Sequence, residues 1–136
     1  MITQKYINQI AYRIVGCAIE VHKALGPGLL ESVYEECLLE ELRINGLSVS
    51  SQQKVPLVYR DKVLKSELRL DILVNNLVVV ELKAVEQLIP IFKAQLLSYL
   101  KLSQKPKGLL INFNSVLLKE QIISLVTEEF AKLPKE

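Results

Sequence analysis

The sequence predicts an α/β domain in which two helices precede a mixed sheet with an antiparallel three-strand meander and a crossover helix. Three observations support this fold class. Apolar residues recur at helical spacing over residues 4–45, β-like apolar runs lie between residues 55 and 85, and a helical segment then separates two strand-like ones. The 136 residues suffice for a single domain, 1–136, that buries roughly two-thirds of its unfolded surface.

The first two elements are predicted to be amphipathic helices. The first covers about residues 4–24, and the glycines on either side of Pro27 end it. The second covers about residues 29–45 and ends at the Asn45-Gly46 pair, a strong C-terminal signal. Glu31 therefore lies in the first turn of the second helix.

Three strands are predicted next, over about residues 55–59, 63–74 and 77–85. Polar turns at Arg60-Asp61-Lys62 and Asn75-Asn76 separate them. Because both connections are short, the three strands should form an antiparallel meander.

The second half of the chain adds a crossover. Pro90 suits the first turn of a helix that reaches about Ser103, and residues 107–113 are typical of a strand. A strand, a helix and a strand in succession imply a right-handed crossover and a mixed sheet. The tail after Asn114 fits either a last strand or a helix that ends near Leu133.

Composition narrows the class of protein. A formal net charge of +2 is too small for the dense basic face of an electrostatic nucleic-acid binder, so any such contact should be local. The N-terminal segment is a helix of mixed polarity, so we expect neither a signal peptide nor a membrane span. Cys17 and Cys37 fall in amphipathic helices, where free thiols are common, and we therefore expect a cytoplasmic protein.

The most informative charges lie inside the β-like runs. Asp71 interrupts one apolar run, and Glu81 and Lys83 flank Leu82 in the next. Burying an unpaired charge is costly, so these groups need a partner or a metal ion. Glu81 and Lys83 are two residues apart, and on a strand their side chains share one face. Two carboxylates and an ammonium at one place are the chemistry of a divalent metal ion with a water to activate.

The turn between these runs decides whether the two acids meet. A two-residue turn at Asn75-Asn76 would put Asp71 on the opposite sheet face from Glu81. A three-residue loop ending at Leu77, or a bulge, would instead place Asp71 opposite Glu81. We therefore predict an odd loop or a bulge.

Each of these acids also has a purely structural explanation. Asp71 could form an ion pair with Arg69 or Lys83, and Glu81 and Lys83 could lie on a solvated strand face. Glu31 near a helix N-terminus is favourable charge for any helix dipole. The residues alone leave these explanations open.

Gln95 and Tyr99 lie four residues apart on the predicted crossover helix. They share a helical face with Phe92 and Leu96, so core packing is a sufficient explanation for both. His22, the only histidine, fits a capping or packing role near a helix end. Neither cysteine has a histidine at a spacing that indicates nucleophilic catalysis.

Asp71 followed by Glu81-Leu82-Lys83 resembles the motif of the PD-(D/E)XK nuclease superfamily. The segment Gly28-Leu29-Leu30-Glu31-Ser32-Val33-Tyr34 resembles the signature of the small GxxExxY proteins, a branch of that superfamily. The resemblance covers nearly the whole chain, from about Ile10 to about Val126. It implies a restriction-endonuclease-like core, and it favours a strand followed by a short helix in the tail.

The resemblance also implies an activity, that of a metal-dependent phosphodiester hydrolase acting on DNA or RNA. Asp71, Glu81 and the Leu82 carbonyl would hold Mg²⁺ or Mn²⁺. Glu31 would be a further ligand, either directly or through a water molecule.

Three more residues take supporting roles in this resemblance. Lys83 would orient the attacking water or stabilise the charge that develops on the phosphate. Gln95 and Tyr99 would position the site or the strand being cut, because nuclease relatives carry a similar Gln-x-x-x-Tyr helix beside the metal.

Two other hypotheses stay open. The chain could be a non-catalytic module that binds nucleic acid or a protein on a retained nuclease fold. The weak net charge and the absence of a recognition arm or an aromatic-basic stripe in the sequence favour this hypothesis. Alternatively, it could be a nuclease that acts only as a homo-oligomer or beside a partner protein that grips the DNA.

Overall fold

The computed structural model describes the whole chain, residues 1–136. It confirms the predicted fold class, with two N-terminal helices followed by a five-stranded mixed sheet and a crossover helix. No helix is both long and apolar enough to cross a lipid bilayer. In chain order, the elements are α1 (Gln4–Leu25), α2 (Glu31–Ile44), β1 (Val49–Tyr59), β2 (Lys62–Val74), β3 (Val78–Lys83), α3 (Pro90–Ser103), β4 (Lys107–Asn112), a 3₁₀ turn (Leu118–Gln121), β5 (Ile122–Val126) and α4 (Glu128–Ala131).

Local signals set the helix ends. The side-chain oxygen of Thr3 accepts the N–H of Tyr6 at 3.1 Å and caps α1. Gly26 ends α1 with φ at 72°, a conformation that glycine adopts at little cost. Pro90 is the first residue of α3, where its missing N–H needs no partner. The helices therefore lie where the sequence predicted them.

The strands lie in the order β1-β2-β3-β4-β5. The first three form the predicted antiparallel meander, and α3 carries the chain to β4, which is parallel to β3. The sheet ends with β5, antiparallel to β4. α1 and α2 pack on one face of the sheet and α3 on the other. Strands β3 and β4 are therefore buried on both faces, which explains their continuous apolar sequences.

β1 is longer than predicted, because it begins at Val49 rather than near residue 55. Its early residues are polar, yet they pair with the end of β2, as Ser51 does opposite Ile72. β1 is an edge strand, so its polar side chains can stay in water while its backbone pairs. The tail forms β5 and the short α4, as the resemblance implied.

β1 and β2 also extend beyond the rest of the sheet. β2 has 13 residues, but it pairs with β3 only at residues 72–74. Its earlier residues pair with β1 alone, out to Lys62 opposite Tyr59. The two strands therefore continue as a two-stranded hairpin.

Packing of α3 on the sheet predicts the effect of a small substitution. A Cβ added at Gly108 would lie 3.0 Å from Leu100 Cδ1 and 3.1 Å from Leu96 Cδ1. Gly108→Ala should therefore lower the free energy of unfolding by about 1–3 kcal/mol in a urea titration. Gly16→Ala is the matched control, because Gly16 is exposed within α1 and has nothing within 4 Å of its Cβ position. It should stabilise the protein by about 0.5–1 kcal/mol, and equal losses in both variants would contradict the close approach of α3.

Candidate active site

The turn between β2 and β3 contains one residue more than a two-residue hairpin turn. Asn75 and Asn76 adopt φ of 51° and 58°, and the N–H of Leu77 donates to the carbonyl of Val74 at 3.0 Å. Val74 nevertheless pairs with Val78, which leaves Leu77 as the extra residue. The predicted odd loop is confirmed.

This register brings Asp71 and Glu81 together where β2 and β3 part. Ile72 opposite Val80 is the last paired position, so Asp71 and Glu81 occupy the next one. At this position, the hydrogen bonds between the two strands involve carboxylate side chains in place of backbone carbonyls. The N–H of Asp71 donates to Glu81 Oε1 at 3.3 Å, and the N–H of Leu82 donates to Asp71 Oδ2 at 2.9 Å. Because the N–H and C=O of a strand residue point to the same side, the Leu82 carbonyl also faces this gap.

Tyr34 holds the loop that begins α2 and thereby positions Glu31. Its side chain is fully buried and its ring stacks on Phe113 with centroids 4.6 Å apart. The hydroxyl donates to the Gly26 carbonyl at 2.6 Å and accepts the N–H of Leu29 at 3.1 Å. Glu31 is exposed at the N-terminus of α2. The tyrosine of the signature thus has a structural role, and the Glu31 carboxylate accepts no hydrogen bond from the protein.

Glu35 is a further candidate residue, one that the sequence did not indicate. Its carboxylate accepts hydrogen bonds from Ser51 Oγ and Gln52 Nε2, both at 3.0 Å. Gln52 adopts φ of 54°, so β1 is irregular at the position opposite Asp71. Glu35 lies one helical turn after Glu31, and that spacing was the available signal.

The acids share one electrostatic environment. Burial, followed by the charge of Asp71, raises the pKa of Glu31 and, still more, that of Glu81, to about 8. Burial also raises the pKa of Glu35, and Asp71 adds to that shift. Lys83 lowers the pKa of both Glu31 and Glu81 and so partly offsets these effects. The structure therefore places three glutamates within electrostatic range of Asp71, and Lys83 within range of Glu31 and Glu81.

Lys83 contacts an aromatic ring and no carboxylate. Its Nζ lies 4.6 Å from the centroid of the Phe92 ring in α3. No lysine or arginine nitrogen lies within 4.0 Å of the Asp71 carboxylate, so the structural ion pair is not formed. On the same helix, Gln95 is exposed and its Nε2 donates to the Tyr99 hydroxyl at 3.2 Å. These two residues form a polar pair one turn beyond Phe92.

A protein-family model described as the PD-(D/E)XK nuclease superfamily matches residues 8–125. The chain belongs to this superfamily. No curated protein and no solved structure matches the chain. The matched range includes every candidate residue from Glu31 to Tyr99.

PD-(D/E)XK nucleases generally use divalent metal ions, and the donors present here suit such an ion. Carboxylate and carbonyl oxygens are the ligands that Mg²⁺ prefers. However, no three His, Cys, Asp or Glu side chains lie close enough together to hold a metal ion. The acids that raise one another's pKa are the ones that a cation would draw together, because it would relieve their repulsion.

The raised pKa of Glu81 predicts that the stability of the metal-free protein depends on pH. The pKa is about 8 in the folded state, against 4.5 for an unperturbed glutamate. The folded protein therefore keeps a proton that the unfolded chain loses. This contribution to stability is complete below about pH 4.5 and is lost as the pH rises to about 8. Denaturant titrations in EDTA should show the free energy of unfolding falling by up to about 1.4 kcal/mol per pH unit.

The Glu81→Gln variant tests whether Glu81 causes this pH dependence of the free energy of unfolding. Glutamine keeps the oxygen that accepts the Asp71 N–H but does not titrate. This variant should lose most of the slope and be more stable than the wild type at about pH 8. Glu86→Gln changes an exposed glutamate and should behave as the wild type. A wild-type slope in Glu81→Gln would show that Glu81 is not the titrating group.

Proposed function

We propose that the protein is a metal-dependent phosphodiester hydrolase, a nuclease acting on DNA or RNA, and that it belongs with the GxxExxY proteins in the PD-(D/E)XK superfamily. One observation carries the proposal. Asp71 and Glu81 face each other where two strands part, with Lys83 two residues further on, in a chain of a nuclease superfamily. Paired acids beside an ammonium are suited to the hydrolysis of a phosphodiester.

Asp71, Glu81 and the Leu82 carbonyl would hold Mg²⁺ or Mn²⁺, with Glu31 as a further ligand, direct or through water. A divalent ion bound there supplies Lewis acidity and lowers the pKa of a bound water. Glu31 has no hydrogen-bond partner in the protein, which leaves its carboxylate free to turn toward the ion. Glu35 is already held by two donors, so we assign it the role of shaping the site.

Lys83 would orient the attacking water or stabilise the charge that develops on the phosphate. Its contact with the Phe92 ring holds the ammonium beside the site without neutralising it. Gln95 and Tyr99 would position the site or the strand being cut, since each has hydrogen-bonding capacity beyond the bond they share.

The cytoplasmic location of the protein stays a prediction. Both cysteines are free thiols, as expected for the cytoplasm. We also propose that residues 1–136 act as a single domain. A homo-oligomer or a partner protein remains a hypothesis for the active form.

Cleavage of mixed DNA and RNA substrates with Mg²⁺ or Mn²⁺ tests the proposal. Lys83→Ala should lower the cleavage rate at least about 100-fold, because it removes the charge beside the phosphate. Lys93→Ala, an exposed lysine on α3, is the matched control and should retain activity. Lys83→Ala should stay folded by circular dichroism, since Lys83 has no ion-pair partner to strand.

The free energy of unfolding distinguishes a catalytic role of Asp71 and Lys83 from a structural one. Asp71→Asn should abolish cleavage and leave the free energy of unfolding unchanged or higher, because it removes one of several repelling charges. If Asp71 and Lys83 instead formed a structural pair, each substitution would cost roughly 3–5 kcal/mol. Losses of that size in both variants, together with an inactive wild type, would contradict the proposal.

The second candidate is a non-catalytic module that binds nucleic acid or a protein. One observation favours it: no three His, Cys, Asp or Glu side chains lie close enough together to hold a metal ion. Nucleic-acid binding by the wild type, with no cleavage in Mg²⁺ or Mn²⁺, would support this candidate over the hydrolase.

A further inference from the structure

Residues 54–69 form a two-stranded hairpin arm. Lys54 pairs with Arg69 at its base and Tyr59 with Lys62 at its tip, and no third strand covers β2 along this length. At about 3.3 Å per residue, the arm is roughly 25 Å long. Arg60 and Asp61 close the tip in a tight turn with positive φ, so the arm is preformed.

The arm is more positively charged than the small net charge of the whole protein suggests. It carries five basic and two acidic residues, so its charge is +3 and the rest of the chain sums to −1. None of its basic nitrogens lies within 4.0 Å of a carboxylate oxygen. All seven charged side chains are exposed: Lys54, Arg60, Asp61, Lys62, Lys65, Glu67 and Arg69.

Two of these cations are placed unfavourably in the free protein. Lys54 and Arg69 lie directly opposite each other on the two strands, and like charges in such a pair destabilise a sheet. Their neighbours Val55 and Leu68 form the next pair, and Val55 packs against the α3 side of the core. Successive pairs face opposite ways, so the Lys54–Arg69 pair faces away from that core. A bound polyanion would remove the repulsion.

The arm starts at the candidate active site. Arg69 is two residues before Asp71, and the arm leaves the sheet at the end where β2 and β3 part. A polyanion lying on the arm would therefore pass beside the carboxylates. The sequence alone did not indicate this arm, because the segments 55–59 and 63–74 have the pattern of ordinary strands and do not show that β3 pairs with β2 only at residues 72–74.

We propose that the hairpin arm binds B-form duplex DNA and delivers it to the site at Asp71, an inference that rests on the proposed hydrolase function. A two-stranded β-ribbon fits the major groove of B-DNA, about 12 Å wide. The deep, narrow major groove of A-form RNA does not admit it. A single strand would need a series of stacking aromatic rings, and the arm has only Tyr59. Duplex DNA is therefore the partner that the arm fits best.

Fluorescence anisotropy with a labelled duplex of about 30 base pairs tests the proposal. EDTA prevents cleavage, so binding is measured separately from catalysis. One double variant, Lys54→Gln/Arg69→Gln, changes the base of the arm, and a second, Arg60→Gln/Lys62→Gln, changes its tip. The matched control is Lys132→Gln/Lys135→Gln, two exposed lysines in the C-terminal segment beyond β5.

Each arm variant should weaken duplex binding about 10–100-fold at about 0.1 M salt, and the control by less than about threefold. The slope of log K against log salt should become shallower by about 2 in each arm variant. Lys54→Gln/Arg69→Gln should be at least as stable as the wild type, because it removes a repulsive pair. Lost binding would then not reflect unfolding.

Several results would overturn the proposal: equal losses in the arm variants and the control, tighter binding of single-stranded DNA or duplex RNA, or no duplex binding by the wild type. A dimer that the arm variants dissociate, with DNA binding unchanged, would assign the arm to a second copy instead. If the wild type cleaves DNA and the arm variants bind it as tightly as the wild type, the proposed role of the arm is wrong and the proposed hydrolase function stands. If binding depends on the arm but no cleavage occurs in Mg²⁺ or Mn²⁺, the arm binds DNA and the proposed hydrolase function is wrong.

Discussion

The register between β2 and β3 is the constraint on which the candidate site depends. Leu77, the extra residue after the Asn75-Asn76 turn, shifts the pairing by one position. Because side chains alternate along a strand, that shift decides whether Asp71 meets Glu81 or lies on the other face of the sheet. The same register keeps the apolar residues of β2 in the core, so folding and assembly of the site depend on one feature.

Hydrogen bonds in the neighbouring elements fix the backbone around Asp71 and Glu81. Asn112 is fully buried in β4, and its side chain accepts the N–H of Val85 at 3.1 Å and donates to the Val85 carbonyl at 2.9 Å. It thereby fixes the chain just after Lys83. Tyr34 fixes the start of α2 in the same way, through hydrogen bonds to the preceding loop. Rigid neighbours can hold repelling carboxylates near one another, at the cost of a raised pKa at Glu81.

The sequence predicted the helix ends from local chemistry, as Pro90 did for the start of α3. The odd loop was predicted instead from the need to bring Asp71 opposite Glu81, since the Asn75-Asn76 pair alone favours a two-residue turn. Glu35 was missed because its partners Ser51 and Gln52 come from β1, whose polar start has no apolar alternation. The arm was missed because strand length beyond the sheet depends on which strands pair, and pairing is not a local property.

The most direct test of this account is the location of bound Mn²⁺ by NMR, from the paramagnetic broadening of backbone amide signals in a titration. The account predicts that the amides of Asp71, Leu82 and Glu31 broaden first, and that Asp71→Asn removes this broadening. Broadening centred on the exposed acids of α4, or none at millimolar Mn²⁺, would contradict the claim that the register between β2 and β3 builds a metal site.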